Sequence, residues 1–123
     1  MAHAINWFEI PAKNFDRAKS FYETVLGTEM MVPFAGMKYA MFPADMQKGE
    51  VGGGLIEEQG WEPSKSGGPL IYLNGGEDLA VPLSRVEAAG GKIIIPKTSI
   101  GANGFMARFT DSEGNIVAFH SMK

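Results

Sequence analysis

The sequence has no cysteine and only two histidines, His3 and His120. The first absence removes disulfides, thiolate nucleophiles, zinc knuckles and iron–sulfur clusters together. The second excludes a three-histidine metal site within one chain. Positive charge is also sparse. Eleven Lys and Arg stand against 14 Asp and Glu, a net charge of −3, and the basic residues are scattered. With no basic stripe to neutralise phosphates, nucleic acid is not an expected partner. No apolar run approaches the length of a bilayer span, so no membrane is expected either. Met1-Ala2-His3-Ala4 lacks the basic and apolar regions of a signal peptide, and a reducing, cytoplasmic setting is the expectation.

What is present describes an ordinary globular chain. Of its 123 residues, 45% are hydrophobic and 20% charged, a balance that argues against disorder. The length suits one domain, or two small modules sharing a core. Ile5–Ile10 (INWFEI) is rich in β-branched and aromatic residues and stops at Pro11, as a strand does. Asn14 is placed to cap a helix in which Phe15, Ala18, Tyr22, Val25 and Leu26 recur on one face, with Gly27 as its stop. Shorter strands are expected over Glu29–Phe34, Met37–Phe42 and Val51–Glu57. The polar, Gly- and Pro-rich stretch Gln59–Pro69 then reads as a linker. The order repeats beyond it. Leu70–Asn74 reads as a strand, and Leu79, Leu83, Val86 and Ala89 mark a helical face, with Pro82 belonging in its first turn. Lys92–Ile95, Phe105–Thr110 and Ile116–Phe119 read as strands, the last two joined by the turn Asp111–Asn115.

The pattern is therefore βαβββ, linker, βαβββ: module one about 4–58, linker about 59–69, module two about 70–123. The halves superimpose at an offset of 64 residues, which sets Phe15 on Leu79, Tyr22 on Val86 and Gly27 on Gly91. One helix cannot cover both faces of a four-stranded sheet, so the other face must meet a second module or line a cavity. The expected fold is α+β, with tandem βαβββ modules forming an incomplete barrel around a cavity.

Three passages sharpen this. Phe8–Gly27 (FEIPAKNFDRAKSFYETVLG), Ala88–Ile93 (AAGGKI) and Phe109–Ser121 (FTDSEGNIVAFHS) resemble, in order, the signature runs of the vicinal-oxygen-chelate superfamily. This is the glyoxalase, bleomycin-resistance and dioxygenase group, and the chain looks most like its small members related to lactoylglutathione lyase. The resemblance implies a metal held by His, Glu or Gln from the first and fourth strands of each module. Aligned on the motifs and the 64-residue offset, those positions fall at Ile5, Gly54, Pro69 and Ala118, none of which can ligate a divalent ion. No metal and no other cofactor is therefore expected.

Alternation along the last strand turns Ile116, Ala118 and His120 toward the cavity, and the alignment that the resemblance supplies turns Ile5, Trp7 and Glu9 there too. Glu9 and His120 are then the candidate catalytic pair, able to act as acid and base or to orient a polar ligand. The plainer alternative pairs Glu9 with Arg108 or a lysine and leaves His120 solvated at a strand end. Trp7, Tyr39 and Tyr72 are candidates to floor a ligand pocket or else ordinary core, and Arg108 is a candidate to grip a ligand carboxylate or else a surface residue. Gly52–Gly54 lacks the pattern of a phosphate loop and reads as a bulge or a close backbone approach. Two functions follow from the resemblance. One is metal-free binding of a small molecule between modules, as in bleomycin-resistance proteins. The other is a lyase, isomerase or dioxygenase-like enzyme using a non-standard metal site or metal-free acid–base chemistry. A homodimer is the expected assembly, and a third reading makes the chain a subunit that uses its modules only for pairing.

Overall fold

A computed structural model describes residues 3–64 and 66–123. The first module begins with β1 (Trp7–Pro11) and the 12-residue helix α1 (Phe15–Leu26). Asn14 caps α1 by accepting a hydrogen bond from the Arg17 backbone N–H at 3.0 Å. Gly27 ends the helix at φ 66°, in the left-handed region that glycine enters without steric cost. The strands β2 (Tyr39–Met41) and β3 (Gly52–Ile56) complete a three-stranded sheet of order β1-β3-β2, with β1 parallel to β3.

The second module contains β4 (Tyr72–Asn74), α2 (Ala80–Leu83), β5 (Lys92–Ser99), β6 (Phe105–Thr110) and β7 (Ile116–Ser121). Its sheet runs β4-β7-β6-β5, with β4 parallel to β7. Pro96 lies in β5, an edge strand, where a missing N–H is tolerated and the pairing register slips. The fold is thus α+β with two small sheets and no closed barrel, as expected.

Several local expectations need correction. The first strand starts at Trp7, two residues later than expected, because β3 begins opposite it at Gly52. Ile5 is 50% exposed and outside the strand. Glu29–Phe34 is not a strand. Only Met31 pairs, in a single bridge to Met41, and Pro33 offers no N–H to extend it. The neighbours Met31, Val32 and Phe34 are exposed. The fourth strand begins at Tyr72, so Pro69, like Ile5, precedes its sheet. The second helix is one regular turn, with Pro82 inside it as expected. Beyond Leu83 the backbone mixes three- and four-residue bonds, such as Arg85 N–H to Pro82 O and Ala89 N–H to Arg85 O. The apolar face survives this loosening, with Leu79, Leu83 and Val86 buried.

One core joins the two modules. Ile10, Phe21, Tyr22, Val25 and Leu55 from the first pack in the same cluster as Leu73, Leu79, Phe109, Val117 and Phe119 from the second. Phe21 sits edge-on to Tyr22, with centroids 4.9 Å apart, and 6.3 Å from Phe109. Full burial of side chains of this size contributes about 1.5–3 kcal/mol each.

A polar clasp locks the same junction. Glu113, in the β6–β7 turn, accepts hydrogen bonds from the backbone N–H groups of Lys13 at 2.9 Å and Asn14 at 2.6 Å. Its carboxylate is also gripped by Arg17, whose Nε lies 2.7 Å from Oε2. Asn115 donates from Nδ2 to the Pro11 carbonyl at 2.8 Å, and the buried Tyr22 hydroxyl donates to Asp111 at 2.8 Å. Burial works against the Glu113 charge, but Arg17, the Asn14 amide and the Ser112 hydroxyl outweigh it and hold the carboxyl below its usual range. Asp111 goes the other way: burial raises it despite its bonds from Asn115 and Tyr22. Burial, reinforced by Asp111, pushes the Tyr22 hydroxyl well above its ordinary value, so it remains a donor.

Candidate functional site

Away from the shared core, β3 presents a strip of glycine. Gly52 and Gly54 alternate onto the face that carries Trp7 and Glu9, their register partners on β1. A Cβ on Gly54 would stand 2.5 Å from Tyr39 Cζ, and one on Gly52 would stand 3.0 Å from the Trp7 ring. The two glycines are therefore seats on which aromatic rings lie flat against the backbone, the close approach expected for this run. The rings are linked. Trp7 Nε1 donates to the Tyr39 hydroxyl at 3.0 Å, and that hydroxyl donates to Glu9 Oε2 at 2.6 Å. Burial first, then the bond to Glu9, raises the Tyr39 pKa, so the phenol keeps its proton and Glu9 receives it as a charge-assisted hydrogen bond. The other oxygen of Glu9 has no partner among the described residues.

Glu9 also faces a cavity of about 670 Å³ at the seam between the modules. Its lining includes Ile5, Phe8 and Ile10 of the first module, Leu70, Ile71 and Ile116 of the second, and linker residues, among them Trp61 and Ser66. Arg108 reaches this cavity from β6, where it lies opposite Ala118 of β7. Its Nε is buried and has no hydrogen-bond partner among the described residues. A buried donor left unmatched costs about 1–3 kcal/mol. Arg108 makes no salt bridge within 4.0 Å among those residues, to Glu9 or to any other carboxylate.

The remaining candidates lie elsewhere. Tyr72, 50% exposed, and His120 line a separate, open cavity of about 640 Å³ with Asn74 and Lys123. His120 Nε2 lies 2.7 Å from the Asn103 carbonyl, which can only accept, so Nε2 carries the proton. Within one chain Glu9 and His120 thus border different cavities, while Glu9 and Arg108 share one. Trp7 and Tyr39 act together to hold Glu9. The coupling of Tyr39 to Gly54 escaped sequence reasoning. The triple glycine was its only signal, and that signal does not say which side chain approaches.

Register shows what surrounds the expected metal positions. Gly54 lies opposite Glu9, and Ala118 lies opposite Tyr72. From Gly54 to Ala118 is 64 residues, but from Glu9 to Tyr72 is 63, so the two parallel pairings differ by one residue. Ile5 and Pro69 both precede the strands that carry these pairings. Glu9 is one oxygen donor on this face. It stands alone: no group of three His, Cys, Asp or Glu residues that could hold a metal exists among the described residues. Gly54 and Ala118 offer no donor atom, and the Tyr39 ring fills the space above Gly54. The donor set does not fit the metal that the resemblance implies.

Comparison with known proteins agrees with this architecture. The model of the Glyoxalase/Bleomycin resistance protein/Dioxygenase superfamily matches residues 4–119. A search of curated proteins finds no match. Among solved structures, a glyoxalase/bleomycin resistance protein from Albidiferax ferrireducens superimposes with a TM-score of 0.73 at 14% identity, covering 98% of this chain and 100% of that one. A glyoxalase/bleomycin resistance protein/dioxygenase family enzyme from Burkholderia phytofirmans gives 0.70 at 13% identity, over 96% and 98%. A genomically encoded fosfomycin resistance protein from Listeria monocytogenes gives 0.64 at 13% identity, over 100% and 94%. At these identities the likeness establishes the fold alone.

Proposed function

This chain belongs to the Glyoxalase/Bleomycin resistance protein/Dioxygenase superfamily, and we propose that it binds a small organic molecule in the seam cavity between its modules without a metal. One observation carries the reading. A buried guanidinium nitrogen without a partner, Arg108 Nε, stands at a largely apolar cavity of a size suited to a small ligand. Glu9, steadied by Tyr39 and Trp7, is the second polar group. The metal-free part rests on the donor set: among the described residues no three His, Cys, Asp or Glu residues group to hold a metal, and Gly54 and Ala118 offer no donor atom. A second copy of the chain is the proposed partner. The sheet faces turned away from the shared core carry Tyr72 half exposed, with Met31 and Phe34 exposed nearby in sequence to β2, and a homodimer would cover such surface. No helix of the described residues is long and apolar enough to cross a membrane.

A thermal-shift screen of small organic molecules, run on protein purified without a histidine tag, tests this. A specific ligand raises the apparent stability by mass action, and Arg108→Ala abolishes the rise. Stoichiometric divalent metal in the purified protein would overturn the metal-free reading. A ligand whose stabilisation survives Arg108→Ala would overturn the assigned site. Light scattering checks the dimer, and a monomer at micromolar concentration contradicts it.

A further inference from the structure

Resting on that reading of the seam cavity as a binding site, we propose that its ligand is a zwitterion with an apolar body, of the class of the apolar amino acids. Two opposite charges, Glu9 and Arg108, face one cavity from different modules. They are not joined to each other within 4.0 Å. Each is held back from the other by structure. Glu9 is tethered on one oxygen by the Tyr39 hydroxyl, itself fixed by Trp7 over the glycine strip. Arg108 is fixed on the central part of β6, paired on both sides by β5 and β7. The free carboxylate oxygen of Glu9 takes an ammonium group. The planar fork of Arg108 takes a carboxylate, with Nε supplying the donor that is otherwise unmatched.

Charge and surface narrow the class. Among the described residues the cavity is lined by two carboxylates, Glu9 and the exposed Glu62, and one guanidinium, so it offers both signs of charge. A zwitterion is neutral overall and presents one charge to Arg108 and the opposite charge to Glu9. Ile5, Phe8, Leu70 and Ile116 in the same lining accept a branched aliphatic side chain. The Arg108 guanidinium accordingly recognises one end of the ligand, Glu9 the other, and the seam measures the body between them.

The test titrates the full chain with three probes followed by calorimetry and by backbone amide shifts: L-leucine, isocaproate, which lacks the ammonium, and isopentylamine, which lacks the carboxylate. L-leucine binds at least about tenfold tighter than either fragment, since each fragment leaves one of the two charged groups without its partner. Arg108→Gln weakens L-leucine and isocaproate and leaves isopentylamine unchanged. Glu9→Gln, near in shape and still able to accept from Tyr39, weakens L-leucine and isopentylamine and leaves isocaproate unchanged. Amide shifts in the unliganded variants establish that they fold. Isocaproate or isopentylamine binding as tightly as L-leucine overturns the proposal, as does failure of all three probes. If those three fail while a screened compound shifts the amides around Arg108, the ligand class is wrong and the binding reading stands. If no compound shifts them, both fall.

Discussion

Replacing Gly54 with alanine isolates the arrangement that fills the glycine strip. The backbone at Gly54 is outside the positive-φ region, so alanine is compatible with it. In open space that change would stabilise the fold by about 0.4–1 kcal/mol through the unfolded chain. Here the new methyl would lie 2.5 Å from Tyr39 Cζ and 2.6 Å from its oxygen, so the ring must leave. Two hydrogen bonds go with it: the bond to Glu9, about 1.5–3 kcal/mol in general for a charged acceptor, and the bond from Trp7, about 0.5–1.5 kcal/mol. Both groups are half-buried, so solvent screening keeps the loss near the lower bound. The net expectation is a destabilisation of about 1–2 kcal/mol. Tyr39→Ala removes the obstruction, and in that background Gly54→Ala becomes neutral or stabilising. Urea unfolding of the wild type, both single variants and the double variant, followed by tryptophan fluorescence, gives the coupling directly. A Gly54→Ala cost that is the same with and without the Tyr39 ring refutes the reasoning.

The clasp between modules supplies further tests. Glu113→Gln keeps the shape and loses the charge, and it destabilises by about 1–2 kcal/mol at neutral pH, discounted for the exposure of Arg17. Because the folded state lowers the Glu113 pKa, its contribution is present above the unfolded value of about 4.3 and is lost as pH falls through the folded value. The gap between wild type and Glu113→Gln in urea midpoints should therefore close in acid, and a pH-independent gap would count against the clasp. Asp111 has the opposite sign. Its folded pKa is raised by burial, so the stability of the wild type relative to Asp111→Asn increases as pH falls through that raised value and decreases as pH rises. Tyr22→Phe leaves the ring in the core and deprives buried Asp111 of a donor, with an expected loss of about 1–3 kcal/mol by denaturant titration. Adding zinc, manganese or nickel ions leaves the melting temperature of tag-free protein unchanged, and a saturable rise would restore a metal to the site.

What was legible in the sequence follows the range of the interactions. The first helix is encoded locally, by Asn14 at one end, Gly27 at the other and five buried side chains at helical spacing between, and it forms over the expected residues. The β6–β7 hairpin is equally local. Strand beginnings are not. Ile5 has the composition of a strand residue, yet a strand exists only where a neighbour pairs with it, and β3 starts opposite Trp7. The parallel pairings of the two modules depend on partners in the same way, and a single offset cannot describe two of them that differ by one residue. Glu113 read as part of a turn because its partners Lys13, Asn14 and Arg17 lie 96 to 100 residues away. Arg108 shows the limit most sharply. Its residue type made it a candidate to grip a carboxylate or else a surface residue, but the absence of a partner for its Nε among the described residues is a property of everything around it. A ligand site made from unmet hydrogen-bonding capacity is defined by what all the distant segments fail to supply. Such a site becomes visible only after the chain has closed on itself.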